Sequence, residues 1–302
     1  MDLRSDLERL DRVVDRLVRD RERGVVAVYK EGLKEIKNKV AGFYEKYGVG
    51  GELRYEDMAK YGRRESLEKE LRAEISRLHR RAKGRMDTAF KSVFEESYFR
   101  TGWAIERSTD RRIIGVIKDE VLEAVIDNDI SGLRWAQRLG RNRDELVIQI
   151  NEQVGQGLVR GESYSQMSAR LQERIEVSEG KARTIIRTES HRVQEEAKTR
   201  CLDQASEEGV EMVKVWLTSA DERVRSKHAK MHEEEVPYDD DFTMPDGAQG
   251  PYPGQIGEAH HDINCRCIYS VRITGVKEVK ESPTVKDITS FKEWKEKRMD
   301  AA

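Results

Sequence analysis

The chain has 302 residues, 38% of them charged and 37% hydrophobic, with a net charge of −2. That length allows one large or two ordinary domains with a sizeable core, and the polar balance is typical of elongated helical proteins. The near-neutral charge excludes a global field drawing the whole chain onto nucleic acid, three cysteines exclude an even disulfide framework, and no apolar run approaches the ~18 residues of a membrane span. The opening M-D-L-R-S-D-L-E carries no apolar signal segment, so the expectation is a soluble protein made in a reducing cytoplasm.

No proline precedes Pro237. A helix interior disfavours proline by roughly 3 kcal/mol, so helix is expected throughout that stretch. Leu3, Leu7, Leu10, Val14 and Leu17 step by four and three residues, and after a pause around Gly24 the pattern resumes at Tyr29, Leu33, Ile36, Val40, Phe43 and Tyr47. This is the seam of a long helix packing against one or two others. Gly48 to Gly51 break it, and a second helix carrying Leu67, Leu71, Ile75 and Leu78 continues towards Trp103, which predicts a long antiparallel pair. Arg77, Arg80, Arg81, Lys83 and Arg85 form the densest basic run. It is a candidate nucleic-acid contact acting through counterion release, or a solvated helix face whose long side chains cover the core. Flanking acids and the lack of interleaved aromatics favour the solvated face.

A third helix is expected from about Arg112 to Asp127, and a fourth from about Asn142 to Val159 with Ile148, Val154 and Leu158 among its apolar positions. Gly161 is placed to end it in the left-handed conformation. Ser163 with Gln166 forms a capping box that opens a helix carrying Met167 and Leu171. Ser178 is expected to cap another, with Ile185, Ile186, Val193 and Ala197 as its buried stripe and Arg187, Thr188, Glu189 and Arg192 at or beside it. The first strand is Met212–Leu217, with Met212, Lys214 and Trp216 on one face; Arg266–Ile273 alternates in the same way. Pairing of the two brings the ends of the intervening loop together. Beyond Ile273 the chain is charged and reads as extended, and Asp287–Met299 is expected to form a final helix with Ile288, Phe291 and Trp294 partly on one face, docking onto this chain, the commoner case, or onto a partner.

These elements predict an α+β, mainly α fold, with an elongated N-terminal helical region followed by a compact C-terminal domain with a small antiparallel sheet. The expected divisions are a long helical hairpin region at 1–110, a helical middle region at 111–177, a compact domain at 178–275 and a charged tail at 276–302.

Read in order, G-E-S-Y-S-Q-M-S-A-R-L, A-R-T-I-I-R-T-E, V-W-L-T-S-A-D-E-R-V-R-S-K-H and I-N-C-R-C resemble the phage Mu F-like minor head proteins, also called phage head morphogenesis proteins. The resemblance covers roughly Tyr98 to Ile273; the part before it agrees in character only. The specific signal is the combination of R-T-E, W-x-T-x-x-D-x-R-x-R-x-x-H and N-C-R-C in that order. It implies a low-copy structural protein inside the virion head near the portal, reached from the host cytoplasm during assembly. Its implied partners are the portal protein, scaffold or major capsid protein, with roles in head morphogenesis and in DNA packaging or delivery. The alternative is an internal head protein that binds packaged DNA. No settled enzymatic activity comes with the resemblance.

The stretch from Trp216 to Cys267 holds four of the six histidines and two of the three cysteines. His228 and His232, four apart on a short helix, with Cys265 and Cys267, two apart on a strand, make a candidate tetrahedral Zn²⁺ site that closes the loop. His260 or His261 are substitutes for His232, and C-x-C is tighter than the usual zinc spacing. In the competing reading both cysteines are small buried residues and His228 bonds a carbonyl or carboxylate. Arg187, Thr188, Glu189, Asp221, Arg223 and Arg225 read as a structural polar network fixing helix against loop, with Asn264 turning the chain into the second strand. ADP-ribosyl transfer is a weaker alternative resting on Arg187, Thr218 with Ser219, and Glu233 with Glu235. The intervals are short for that chemistry, and E-E-E beside D-D-D is more simply a solvated acidic loop. H-A-K-M-H lacks the glutamate that H-E-x-x-H uses as general base. No catalytic residue is assigned.

Overall fold

The computed structural model describes residues 3–115, 117–130, 132–219, 221–277 and 290–299. Helix α1 (Leu3–Tyr47) passes through Gly24 without a break, because Val25, Val28 and Tyr29 carry its buried face onward. It ends where Gly50 and Gly51 adopt positive φ. A short helix, α2 (Tyr55–Ala59), and one 3-10 turn (Lys60–Gly62) lead into α3 (Arg63–Thr109). The expected antiparallel pairing is seen between residues 20–47 of α1 and 63–87 of α3. There Glu31 pairs with Arg81, Lys39 with Glu70 at 3.2 Å, and Leu78 fills the space over Gly32.

The helix expected from Arg112 starts only at α4 (Asp119–Asp127). Asp110 turns the chain at positive φ, and Glu106 accepts the N–H groups of Ile113 at 2.7 Å and Ile114 at 2.8 Å, so those donors need no helix. Helix α5 (Trp135–Arg160) ends at Gly161, φ 62°, and the Ser163–Gln166 box then opens α6 (Tyr164–Glu207). Ser178 caps nothing. It lies inside α6, donating its hydroxyl to Asn142 Oδ1 at 3.1 Å while Asn142 Nδ2 donates to the Ser178 carbonyl at 2.9 Å. A buried partner on α5 holds the serine, so the helix runs on.

Strand β1 (Val210–Leu217) is the middle of a three-stranded antiparallel sheet, with β2 (Glu235–Pro237) on one side and β5 (Ile268–Val276) on the other. The predicted pairing of the two long strands is present, with Trp216 opposite Tyr269 and Leu217 opposite Ile268. The loop between them carries α7 (Ser226–Ala229), the small ribbon β3 (Phe242–Thr243) with β4 (Gln249–Gly250), and α8 (Ala259–Asp262). The fold is α+β and mainly helical, with its small antiparallel sheet towards the C-terminal end.

Two compact units emerge. One comprises residues 1–19, 88–134 and 187–302 and contains the whole sheet; the other comprises 20–87 and 135–186 and is essentially helical. In the sheet-bearing unit the core is built from Phe90, Phe94, Tyr98, Val193, Ala197, Trp216 and Tyr269. In the helical unit it is built from Leu71, Ile75, Ile150, Val154 and Leu171. The expected tail segment 278–289, Ile288 included, lies outside the described residues. The final helix, α9 (Phe291–Met299), does dock on its own chain: Trp294 is fully buried, its indole N–H donates to Glu106 Oε2 at 2.7 Å, and Arg298 pairs with the same carboxylate. Among the described residues no helix is long and apolar enough to cross a membrane.

Candidate functional site, a buried histidine–cysteine centre

Three segments of the sheet-bearing unit meet beside Trp216. Helix α7 supplies His228, helix α8 supplies His261, and the residues just before β5 supply Cys265 and Cys267. All four side chains are buried. His228 Nδ1 lies 3.4 Å from Cys267 Sγ and 3.6 Å from Cys265 Sγ. The other ring nitrogen, Nε2, lies 3.0 Å from His261 Nδ1, and His261 Nε2 lies 3.0 Å from an Asp246 carboxylate oxygen. Asp246 stands at the turn between β3 and β4, where the Lys227 ammonium, followed by His260 and His261, holds its carboxyl well below the usual range. An ionised Asp246 needs a donor, so the proton of His261 sits on Nε2 and its Nδ1 accepts. His228 must then donate from Nε2, which leaves the Nδ1 lone pair facing the two thiols.

The two cysteines are not equivalent. The hydrogen bond between the thiols, with burial adding to it, pushes Cys265 up to about 12. The same bond pulls Cys267 below its ordinary value, helped by the Trp216 indole and the charges of Arg225 and Arg266. Cys267 is therefore the readier thiolate. Trp216 Nε1 has no nitrogen or oxygen partner, although it is fully buried. His191 on α6 fixes the cysteine backbone from the other side, its Nε2 lying 2.6 Å from the Cys267 carbonyl oxygen.

His232 is not part of this centre. Helix α7 stops at Ala229, Glu233 turns the chain at positive φ, and the His232 ring faces solvent, where Nδ1 accepts the Thr218 N–H at 3.3 Å. The i, i+4 geometry needs a helix that continues, and this one does not. His261 takes the place beside His228. His260 is exposed and turned to Asp246 and Glu258. The cysteines also precede β5 rather than lying on it, yet their side chains converge.

The polar residues read as one network occupy separate places. Glu189 pairs with Arg192 at 2.9 Å, both fully buried, and Arg192 also donates to the Ile126 carbonyl. Thr188 Oγ1 accepts the N–H of Asn264, a residue at positive φ, so the helix is tied to the turn before β5. Asp221 pairs with Arg266 and, at 3.7 Å, with Arg223, on the exposed side of the loop. Arg225 donates to the carbonyls of His261 and Ile263, pinning α8. Arg187 is exposed on α6. Thr218 is half-buried and Ser219 exposed, while Glu233 is held by Arg4 and Glu235 by Arg272. Arg77, Arg80, Arg81, Lys83 and Arg85 all lie on the exposed face of α3, with Arg77 held by Glu74 and Arg81 by Glu31.

One buried cluster has no counterpart in the sequence reading. Glu195 and Lys198, both fully buried on α6, pair at 3.0 Å; Lys198 donates to the Tyr269 carbonyl at 2.7 Å and faces Asp11 of α1 at 3.6 Å. Burial opposes the charge on Lys198, but Asp11 and Glu195 together outweigh it. Burial raises Glu195, with Lys198 opposing. The visible signal was E-E-A-K, two acids three and two residues ahead of a lysine on a helix with an otherwise apolar face.

The sequence family described as Phage Mu protein F like protein matches residues 148–270, a span that contains all of α6 and the histidine–cysteine centre. The chain is 32% identical over 269 residues to the minor head protein GP7 of Bacillus phage SPP1, covering 89% of this chain and 87% of that protein. It is 28% identical over 204 residues to the NAD(+)--arginine ADP-ribosyltransferase EFV of Enterococcus faecalis, covering 67% of this chain but only 42% of that protein. An uncharacterized protein of Haemophilus influenzae is 30% identical over 145 residues, which is 47% of this chain and 29% of that protein. No solved structure matches. Since the likeness to a minor head protein runs nearly the length of both chains and the family match falls on the residues that build the centre, this chain belongs to the phage Mu F-like minor head protein family.

Proposed function

We propose that the protein is built into the phage head at or near the portal during assembly, where it contacts the portal protein, scaffold or major capsid protein and serves DNA packaging or delivery. The observation that carries this reading is the extent of the likeness to a minor head protein, 89% of the chain. The interior agrees with a part that must keep one shape. Buried pairs such as Glu189–Arg192 and Glu195–Lys198 keep their partners only while the surrounding elements hold their places, which specifies geometry more than it adds stability. The test is co-expression with portal and major capsid proteins followed by isolation of procapsids. The protein is expected in them at low copy, and its incorporation is expected to fail when the portal protein is left out. Procapsids that lack it, or that take it up equally without the portal, overturn the reading.

A DNA-contacting role is the second reading, and it rests on Arg80, Lys83 and Arg85, exposed on one stretch of α3. Phosphate contacts release counterions, so retention on DNA should fall steeply with ionic strength and fall further when the three are replaced by alanine. Retention that ignores salt disposes of it.

The role proposed is structural rather than catalytic. The region shared with the arginine ADP-ribosyltransferase overlaps the region shared with the minor head protein, and more than half of that transferase lies outside the match. Glu233 and Glu235, the acids a transferase would need free, are paired with Arg4 and Arg272. Incubation with NAD and an arginine acceptor is expected to give no turnover; turnover that Glu235→Ala abolishes would reverse this conclusion.

A further inference from the structure

The histidine–cysteine centre has the dimensions of a metal site. With Zn–S about 2.3 Å and Zn–N about 2.0 Å, a tetrahedral ion holds an imidazole nitrogen about 3.5 Å from each thiolate sulfur. The two distances from His228 Nδ1 are 3.4 Å and 3.6 Å, and all the candidate ligand atoms lie within 4.8 Å of one another. Hydrogen bonding alone is a poorer account of this arrangement. An imidazole nitrogen offers one lone pair, yet two thiols stand nearly equidistant from it. A shared central cation satisfies all three atoms at once.

The surroundings favour the same conclusion. A histidine that binds a metal through one nitrogen almost always donates the other N–H to an oriented acceptor, which fixes its tautomer and raises its basicity. Here His228 Nε2 meets His261 Nδ1 at 3.0 Å, and His261 is oriented in turn by Asp246. The buried Trp216 N–H, without a nitrogen or oxygen acceptor, is available to a thiolate sulfur. Arg225 donates to the carbonyls of His261 and Ile263 and so holds α8 and the chain leading to the cysteines beside His228.

We propose that His228 Nδ1, Cys265 Sγ and Cys267 Sγ bind a zinc ion, with His261 and Asp246 as the relay that orients His228 and one position of the tetrahedron left to a non-protein ligand. The ion ties α7 to the chain entering β5 and so closes the loop between β1 and β5. Two thiolates and one imidazole match zinc and disfavour magnesium and calcium, which take oxygen ligands. The neighbouring trio Asp246, His260 and His261 is a poorer site, because the Lys227 ammonium already occupies the carboxylate.

The test uses the full chain produced with zinc present and desalted. Metal analysis is expected to give about one zinc per chain, and replacement by Co²⁺ is expected to give thiolate-to-cobalt charge transfer with the strong visible bands of a tetrahedral site. Cys265→Ser and Cys267→Ser should lose the ion, His232→Ala and His260→Ala should keep it, and His261→Gln should keep the stoichiometry while weakening affinity about 10–100-fold. Chelator should lower the melting temperature of the parent and leave that of Cys267→Ser unchanged. If a cysteine variant fails to fold, the cobalt spectrum and chelator melt of the parent still decide the matter. No bound zinc in the parent, a cobalt spectrum without thiolate charge transfer, or full retention by both cysteine variants overturns the proposal. Loss of zinc from His232→Ala overturns the ligand assignment.

Discussion

Nε2 of His228 meets Nδ1 of His261 at 3.0 Å, and this contact, made between two short helices 33 residues apart, joins the two sides of the loop that separates β1 from β5. Its direction is set from outside. Asp246 accepts the hydrogen bond of the His261 Nε2–H, so His261 Nδ1 accepts and His228 Nε2 donates. One carboxylate near the surface thus fixes the lone pair of a histidine in the interior.

His261→Ala should therefore destabilise the protein by about 1–3 kcal/mol, because it strands the N–H of His228 in the interior. His232→Ala should change stability by no more than about 0.5 kcal/mol, since that ring faces solvent. Urea unfolding of both variants, compared with the parent, checks this. Equal effects at the two positions would contradict the placement of His261.

Glu106 is the second point on which a distant segment depends. Its buried carboxylate accepts from the backbone of Ile113 and Ile114 through one oxygen, and from Trp294 and Arg298 through the other. Trp294→Ala should cost about 3–5 kcal/mol as a large aromatic leaves the core. Glu106→Gln should weaken the docking of α9 while Gln still accepts from the loop. Because both changes act on one contact, the double variant should lose less than the sum of the two. A melting series with all three variants tests this, and strict additivity would show that α9 is held by something else.

How much of this was legible in the sequence differs by element. Regular apolar spacing fixed the long helices, since it depends only on neighbours three and four residues away; the two long strands followed from alternation in the same way. The unbroken α6 was not legible at Ser178, because a serine that bonds to Asn142, 36 residues earlier, looks the same in sequence as a cap. The centre was partly legible. His228, Cys265 and Cys267 stood out by type, and they converge. The choice between His232 and His261 depends on where α7 stops; after Ala229 the N–H groups of Met231 and His232 bond three residues back rather than four, a change that helix spacing does not encode. Glu195 and Lys198 carry no such signal by type, because charged residues on a helix are usually solvated and only the fold closes Asp11 and Tyr269 over them.

Gly254 lies against the residue that positions Cys267. Its φ is +89°, and a Cβ there would stand 2.7 Å from His191 Nδ1. Gly254→Ala should cost about 1–3 kcal/mol from backbone strain alone, with the collision added to it. His191→Ala opens the space but leaves the backbone strained, so in the double variant the substitution at 254 should cost less than in the parent without becoming neutral. Denaturant midpoints of the four proteins measure this, and an unaffected Gly254→Ala would contradict the geometry.

The buried trio of Asp11, Glu195 and Lys198 predicts a pH dependence with a definite sign. Burial raises Asp11 from 3.8 to about 6; Lys198 opposes the shift, Glu195 adds to it, and Gln194 and His191 oppose it more weakly. An acid whose pKa is higher folded than unfolded binds its proton more tightly in the folded state, so its contribution is most favourable below 3.8 and is lost as pH rises through about 6. His261, whose pKa burial lowers, works in the opposite direction over part of that range, as does any carboxylate with a depressed pKa at lower pH. Those groups are common to the parent and an Asp11→Asn variant, so the difference between the two proteins reports Asp11 together with the Glu195 and Lys198 it faces. Relative to Asp11→Asn, the parent should gain stability when the pH is lowered from 7 to 5. Urea unfolding of both proteins at the two pH values gives that difference directly. A difference that stays constant, or one that moves in favour of the variant on acidification, would mean that the Asp11 carboxyl keeps its charge beside Lys198 as easily as it does in water.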